Sequence, residues 1–357
     1  MTGPITAGSG LGAWATAARH KEYVEAFNTS NPRTLYFKTF KPTWDPHPVQ
    51  GGPYLAGGRI ADIGSAHILM GLDAKATLTG DVMTTAQALL LVSAFGSNGT
   101  LKESGTGAAY QLFTGTGTKG IKLEAPESHD SAKESTFLDI EVGLPYTNAE
   151  NVGWRYTAGV VQKAEFVFDR MNLCSYSYDI DFRHVAANLS PTLPTFTTNG
   201  VPFAMNEGSS AFKIGTPGGA AALAGVRKMT VTLEHKMATD RWYLGEAEKS
   251  LPVSNGLVDI GVSCECDNTE AAKNVLETFL KNEASEIIAE ATGANIGSSG
   301  KPNLFLFKMP NVFIDSGAEF PIDGPDILKT TFAAKATINT TNEPVVSAEL
   351  TTSDTTF

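Results

Sequence analysis

Apolar and polar residues alternate with period two in three well-separated parts of the chain. In "CSYSYDIDFRH", Cys174, Tyr176, Tyr178, Ile180 and Phe182 fall on one face, and Ser175, Ser177, Asp179, Asp181 and Arg183 on the other. In "RKMTVTLEH", Met229, Val231 and Leu233 oppose Lys228, Thr230, Thr232 and Glu234. In "LKTTFAAKATIN", Leu328, Thr330, Phe332, Ala334, Ala336 and Ile338 oppose Lys329, Thr331, Ala333, Lys335, Thr337 and Asn339. Successive side chains of a strand point to opposite faces, so these segments predict antiparallel strands with one dry and one wet face. A shorter strand is expected at "LYFKTF", and another around Ala211 to Ile214.

Two segments switch to helical spacing. "TTAQALLLVSAFG" offers Thr84 as N-cap, Gln87 three residues on and Gly96 as a stop. "DNTEAAKNVLETFLKN" offers Asp267 or Asn268 as cap and an apolar stripe at Ala272, Val275, Leu276, Phe279 and Leu280. A short helix is also expected between Ala13 and Phe27.

Gly71 to Phe95 and Gly256 to Leu280 carry the same order: Gly-Leu, an alternating segment, a polar corner, a helical segment. Five of 25 aligned positions are identical, Gly71/Gly256, Leu72/Leu257, Thr84/Thr269, Ala86/Ala271 and Leu91/Leu276. The apolar parity runs through Ala74, Ala76 and Leu78 in one and Val258, Ile260, Val262 and Cys264 in the other, so matching faces requires a one-residue slip. The pattern predicts one unit present twice, each sheet covered by one helix.

Between these signals lie turn-rich stretches. The expected organisation is an N-terminal arm (1–30), a first domain with long loops (31–190), a linker rich in Pro, Gly and Ser (191–222), a second domain (223–342) and a polar tail (343–357). "KPTWDPHPVQGGPYLAGG", after Phe40, reads as an irregular loop, and Ser97 to Asp139 as an exposed excursion.

Composition adds limits. The 357 residues suffice for two cores. Three cysteines, Cys174, Cys264 and Cys266, cannot form a disulfide framework, and alternation puts Cys264 and Cys266 on an apolar strand face. The absence of a basic segment leading into an apolar run, and of any stretch near the ~20 apolar residues of a membrane helix, predicts a protein made in the cytoplasm and not inserted in membrane. A formal net charge of -11 opposes general adhesion to nucleic acid or anionic lipid.

Chemistry is sparse. The six histidines (His20, His47, His67, His129, His184, His235) show no metal-ligand spacing. "GTGTKG" matches Gly-x-Gly-x-x-Gly, but no βαβ unit surrounds it. The acidic string "ESHDSAKESTFLDIE" reads as a solvated loop, and no Gly-x-Ser-x-Gly elbow occurs. No catalytic, cofactor or metal residue is expected, and the chain does not read as an enzyme.

From Val226 to Ile338 the order of elements resembles phage tail tube proteins, the major tail proteins of long-tailed, siphovirus-type phages. The telling pieces are "LFLFKMPNVFID" and "PIDGPDILKTTFAAKA"; in the first half "GLDAKATLTGDVMTTAQALLLVSAFG" and "YTAGVVQKAEFVFDRMNLCSYSYDIDFR" look like the family's earlier elements. The resemblance implies a mainly β fold, with two tandem antiparallel β-sandwich or barrel domains, each with one flanking helix. It implies rings that stack into a hollow virion tail tube, assembled in the host cytoplasm, through which genomic DNA passes without specific binding. Implied partners are further copies of the chain, as homotrimeric pseudo-hexameric or homohexameric rings, neighbouring stacked rings, and tape-measure and tail-terminator proteins. On that reading Asp179, Asp181, Glu234, Thr230 and Thr232, on polar strand faces, are candidates to line an acidic lumen. The competing readings are an outer-membrane barrel, opposed by the two helices, and a carbohydrate-binding or adhesin-type β-sandwich of a tail tip. For the latter, Trp14, Trp44, Trp154 and Trp242 could stack on sugar.

Overall fold

The computed structural model describes residues 14–20, 33–50, 67–95, 111–112, 119–124, 137–145, 151–188, 200–205, 211–223, 225–243, 248–250, 252–254, 258–267, 270–296, 302–316, 329–337 and 345–352. The described part of the first half comprises β1 (Trp14–His20), β2 (Arg33–Leu35), β3 (Thr39–Gln50), β4 (His67–Asp81), α1 (Gln87–Phe95), β5 (Gln111–Leu112), β6 (Lys119–Glu124), β7 (Phe137–Pro145), β8 (Asn151–Asp169), β9 (Ser175–Phe182) and β10 (His184–Asn188). The second half comprises β11 (Ala211–Gly215), β12 (Ala221–Ala222), β13 (Val226–Glu234), β14 (Met237–Ala238), β15 (Val253–Ser254), β16 (Asp259–Asp267), α2 (Glu270–Lys281), β17 (Ser285–Asn295), β18 (Pro302–Ser316), β19 (Lys329–Ala336) and β20 (Ser347–Thr352). The chain is thus mainly β, with two helices among the described residues.

One set of antiparallel pairings occurs twice. In the first half β2 pairs β1, β1 pairs β7, β7 pairs β8, β10 and β9 pair β8, β9 pairs β4 and β4 pairs β3. In the second half β12 pairs β11, β11 pairs β17, β17 pairs β18, β20 and β19 pair β18, β19 pairs β16 and β16 pairs β13. Two of the register irregularities coincide as well. The β7/β8 register shifts between Leu138 and Ile140, and the β17/β18 register between Ser285 and Ile287. The β8/β9 register shifts between Val161 and Lys163, and the β18/β19 register between Ile314 and Ser316. A bulge adds one unpaired residue and bends its strand, which lets β8 and β18 each serve two groups of neighbours.

The two patterns meet edge to edge. β13 lies against β8 from Lys228↔Asp169 to Glu234↔Lys163, and β20 pairs β6. The result is one large antiparallel sheet that, among the described residues, does not close on itself.

The dry face follows the sequence alternation. Tyr176, Tyr178, Ile180 and Phe182 of β9, Met229, Val231 and Leu233 of β13, and Phe332, Ala334 and Ala336 of β19 are all buried. In β4 the buried residues include Ala74, Ala76 and Leu78, and in β16 Ile260, Val262, Cys264 and Cys266, so the one-residue slip is required. Phe166 lies 4.7 Å from Phe307, ring centre to ring centre, and Phe168 stacks on Phe305 at 5.5 Å, so first-half and second-half rings share one core. Each such side chain contributes roughly 1.5–3 kcal/mol on burial.

Every residue of α1 is buried. Its start differs from expectation: Thr84 Oγ accepts from the Val201 amide rather than capping the helix, and Ala86 takes φ 60 just before Gln87. The imidazole Nε2 of buried His235 lies 2.5 Å from the Ala94 carbonyl, tying the end of α1 to the segment after β13. α2 buries Val275, half-buries Leu276 and Phe279, and leaves Leu280 72% exposed. It ends on Asn282 in the left-handed region (φ 52), whose amide donates to the Phe279 carbonyl.

Three readings of the sequence are corrected. The stretch between Ala13 and Phe27, expected as helix, contains β1, because Ala15 and Ala17 bury against strands β2 and β7 on alternate positions. The proline-rich stretch after Phe40, expected as loop, contains β3, an edge strand paired with β4. The polar tail contributes β20, paired with β18 and β6, whereas β11 lies where a strand is expected around Ala211 to Ile214.

Candidate functional site

The wet face of the joined sheet is its broadest feature. Rows of facing residues cross strands from both halves: Lys41, Thr77, Asp179, Lys163, Glu234 and Asp259 form one, and Thr39, Thr79, Ser177, Glu165, Thr232, Gly261 and Lys335 the next. Facing side chains in such rows lie close enough to interact. Thr77 Oγ donates to Asp179 Oδ1 at 2.8 Å, Thr39 and Thr79 hydroxyls lie 2.6 Å apart, and Lys335 Nζ is 2.8 Å from Asp259 Oδ1. Lys335 holds the Asp259 carboxyl below its ordinary value.

Of the five candidate residues, Asp179 and Glu234 are exposed on this face and Thr230 and Thr232 half-exposed. Asp181 is different. It is 3% exposed, because the segment following β13 crosses the wet face of the first half and covers it. Lys249, 1% exposed, inserts its ammonium between Asp73 and Asp181, 2.5 Å from Asp181 Oδ1. Lys75 Nζ approaches Asp73 Oδ2 at 3.2 Å and Asp181 Oδ2 at 3.9 Å, so two ammonium groups balance two carboxylates. Burial pushes the Asp181 carboxyl up despite Lys249, whereas at Asp73 burial is outweighed by Lys249 and Lys75 and the carboxyl is lowered. Nearby, Glu248 bridges Arg183 at 3.1 Å and His184 at 2.6 Å.

Gly71 completes this crossing. A Cβ there would stand 2.6 Å from the Trp242 ring, so the glycine admits the indole against β4. A cleft of about 360 Å³ remains beside the crossing, lined among others by Lys41, Lys75, Asp179, Asp181 and Thr239. The two rows carry both signs, with Lys41, Lys163 and Lys335 beside Asp179, Glu234, Asp259 and Glu165.

The other chemistry-bearing residues lie apart. Cys174, Cys264 and Cys266 are free and buried, with burial pushing Cys174 up to about 12 and Cys266 to about 11, far from thiolate reactivity. No group of three metal-ligating side chains occurs among the described residues, and no described helix is long and apolar enough to cross a membrane. Trp44 tilts against Trp154 at 4.6 Å, and Trp242 is occupied against Gly71; the Trp14 side chain lies outside the described residues. The histidine at 129, the first four residues of "GTGTKG" and most of the acidic string also lie outside them; the last two, Lys119 and Gly120, open β6.

Lys249, Asp73 and Lys75 are absent from the residues singled out by sequence, and Trp242 is singled out there only as a sugar-stacking candidate. Asp73 and Lys75 lie on polar positions of β4, whereas the local signal of Lys249 is a charge inside an irregular segment, and it is the fold that brings Lys249 to β4 and β9. No family model matches the chain, and no curated protein matches its sequence.

Proposed function

We propose that the chain is a structural virion protein carrying two tail-tube-like domains in tandem, which self-assembles into stacked rings forming a hollow phage tail tube. The single observation that carries the reading is the β8/β13 joint, where the sheets of the two halves continue into one another edge to edge. A unit that joins its own repeat in this head-to-tail way can join further copies by the same operation, and such heterologous contacts close into rings or run on as filaments. Three chains would supply six units around one channel. The mixed-charge wet face suits a lumen that DNA traverses: it has no unbroken row of cations to neutralise phosphates and hold them.

The alternative, a carbohydrate-binding or adhesin-type module of a tail tip, draws on Trp44, which is 41% exposed and backed by Trp154. Negative-stain electron microscopy with rotational averaging separates the two. Hollow rings or tubes with threefold or pseudo-sixfold symmetry are expected, whereas discrete monomers at high concentration together with glycan binding would favour the module.

A further inference from the structure

The coincident register shifts fix a residue-by-residue correspondence between the halves. Past the shift between β8 and β9, Lys163, Asp179, Thr77 and Lys41 face one another across β8, β9, β4 and β3; past the shift between β18 and β19, Ser316, Ala333, Ser263 and Thr230 do so across β18, β19, β16 and β13. Lys41 therefore corresponds to Thr230, and Phe40, Pro42, Trp44 and Pro46 to Met229, Val231, Leu233 and His235. On the other side of β8 and β18, Ile140↔Tyr156 and Val142↔Trp154 match Ile287↔Met309 and Ala289↔Phe307, so Trp154 corresponds to Phe307. The helices correspond as well. α1 packs on β8 and α2 on β18, and the Leu91/Leu276 identity sets Phe95 opposite Leu280.

These corresponding residues meet opposite environments. In the second half Leu233 and Phe307 are fully buried, and their cover includes Phe95 from the end of the first half's helix, 6.1 Å from Phe307 between ring centres. In the first half Trp154 is half-buried, and Trp44, packed on it at 4.6 Å, is 41% exposed. The end of α2 is uncovered too: Phe279 is half-buried and Leu280 is 72% exposed, whereas Phe95 is buried. One chain thus carries two apolar patches, the counterparts of the two sides of a contact already buried inside it. Exposed apolar clusters that include a tryptophan mark surfaces that a partner covers.

The joint between the halves says which partner. It is heterologous, because β8 of one unit meets β13 of the other, and β13 corresponds to β3 rather than to β8. The operation that carries the first half onto the second is therefore not a two-fold axis. Repeating it carries the second half onto a third position, which the first half of a second copy can occupy. There the helix end of the second half meets the counterpart of what Phe95 meets, which is Trp154 with Trp44 beside it.

We propose that the end of α2 seats Leu280 and Phe279 on the Trp44–Trp154 pair of a second copy of this chain, repeating between chains the contact that Phe95 makes with Phe307 within one. This contact rests on the tandem tube reading. It gives that reading a direction, from the second half of one copy to the first half of the next, and two apolar surfaces to bury.

Charge exchange across the contact tests it. Leu280→Lys places a cation in the last turn of a helix, where the helix dipole favours it, at an exposed position, so the isolated chain is expected to keep its denaturation midpoint. Leu280→Lys and Trp44→Glu should each raise the concentration at which rings appear by about tenfold or more, because each buries an unpaired charge. In the double variant the two charges pair, and the ring threshold should lie at least about tenfold below the product of the two single effects. Leu280→Cys supplies a second readout, since the three native thiols are buried: its reaction with a maleimide should be fast in the isolated chain and suppressed in rings. A ring threshold unmoved by Leu280→Lys, single effects that simply multiply in the double variant, or a new thiol still reactive in rings would each overturn the contact and leave the tube reading standing. A lowered denaturation midpoint for Leu280→Lys in the isolated chain, with assembly unmoved, overturns it as well by showing that the patch is covered within the chain. No rings from the parent protein at any concentration overturns both readings and returns the tryptophan pair to glycan binding.

Discussion

β13 and β3 occupy the same place in a repeated pattern and were built for different neighbours. β13 presents Met229, Val231, Leu233 and His235 to a strand of the same chain, with a full set of amide donors and a buried apolar row. β3 presents Phe40, Pro42, Trp44 and Pro46, keeping the apolar character but dropping two donors. The lesson is that apolar area and backbone bonding are separable controls on a sheet edge. An exposed apolar row favours covering an edge, and missing amide donors oppose it.

The joint within the chain has a second support. Lys249 reaches back from the second half into the first and holds Asp73 and Asp181 together. Lys249→Met is expected to cost about 4 kcal/mol in chemical denaturation, because removing one partner leaves buried carboxylates uncompensated. Its pH dependence carries the sign. The Asp181 carboxyl is already raised by burial, so it binds a proton more readily folded than unfolded. Losing the ammonium raises it further, and protonation then relieves the variant: the stability gap to the parent protein should narrow as pH falls from 7 toward 4. In the parent, Asp73 is lowered, so its contribution is present above the unfolded carboxylate value and lost as pH falls through the lower folded one. A gap that stays constant with pH would refute the charge account of the cluster.

Moving the β3 chemistry into β13 tests the comparison directly. Val231→Pro removes an amide donated across the β8/β13 joint and leaves its acceptor buried, so a loss of about 3 kcal/mol is expected, read as a lower denaturation midpoint. The same residue type at Pro42 is tolerated because no described strand pairs that edge of β3.

The smallest effect is the difference between corresponding side chains. Leu233→Ala should cost about 3 kcal/mol from a sealed core, and Trp44→Ala in the isolated chain about 1, given its exposure. In assembled material the Trp44→Ala penalty should grow, visible as a raised assembly threshold. Equal costs in the isolated chain would mean that Trp44 is an ordinary core residue and that the two edges do not differ.

Much of the fold was legible because alternation is a local property. The dry faces of β9, β13 and β19, both helices, and the slip between the copies of the β4/α1 and β16/α2 unit all follow from residue order alone. β1 and β3 were not legible for opposite reasons. "WATAARH" has helix-favouring alanines whose strand conformation is imposed by β2 and β7, and "TFKPTWDPHPVQ" has prolines that argue against a strand unless one edge is known to be free. The candidate wet face was half legible: Asp179, Glu234, Thr230 and Thr232 lie on it as alternation requires, whereas the covering of Asp181 depends on a segment distant in sequence.

The sequence by itself determined which residues are dry and which wet, where helices replace strands, and that two stretches share one order of elements, since each of these is set by neighbours a few positions away. Only the tertiary structure decided that the seven pairings and two of their bulges recur, that β8 joins β13 while no described strand pairs the outer edge of β3, and that Lys249 closes over Asp73 and Asp181. Few identities mark the recurrence because a strand's register depends on backbone hydrogen bonds and on apolar parity, and both survive the replacement of nearly every side chain.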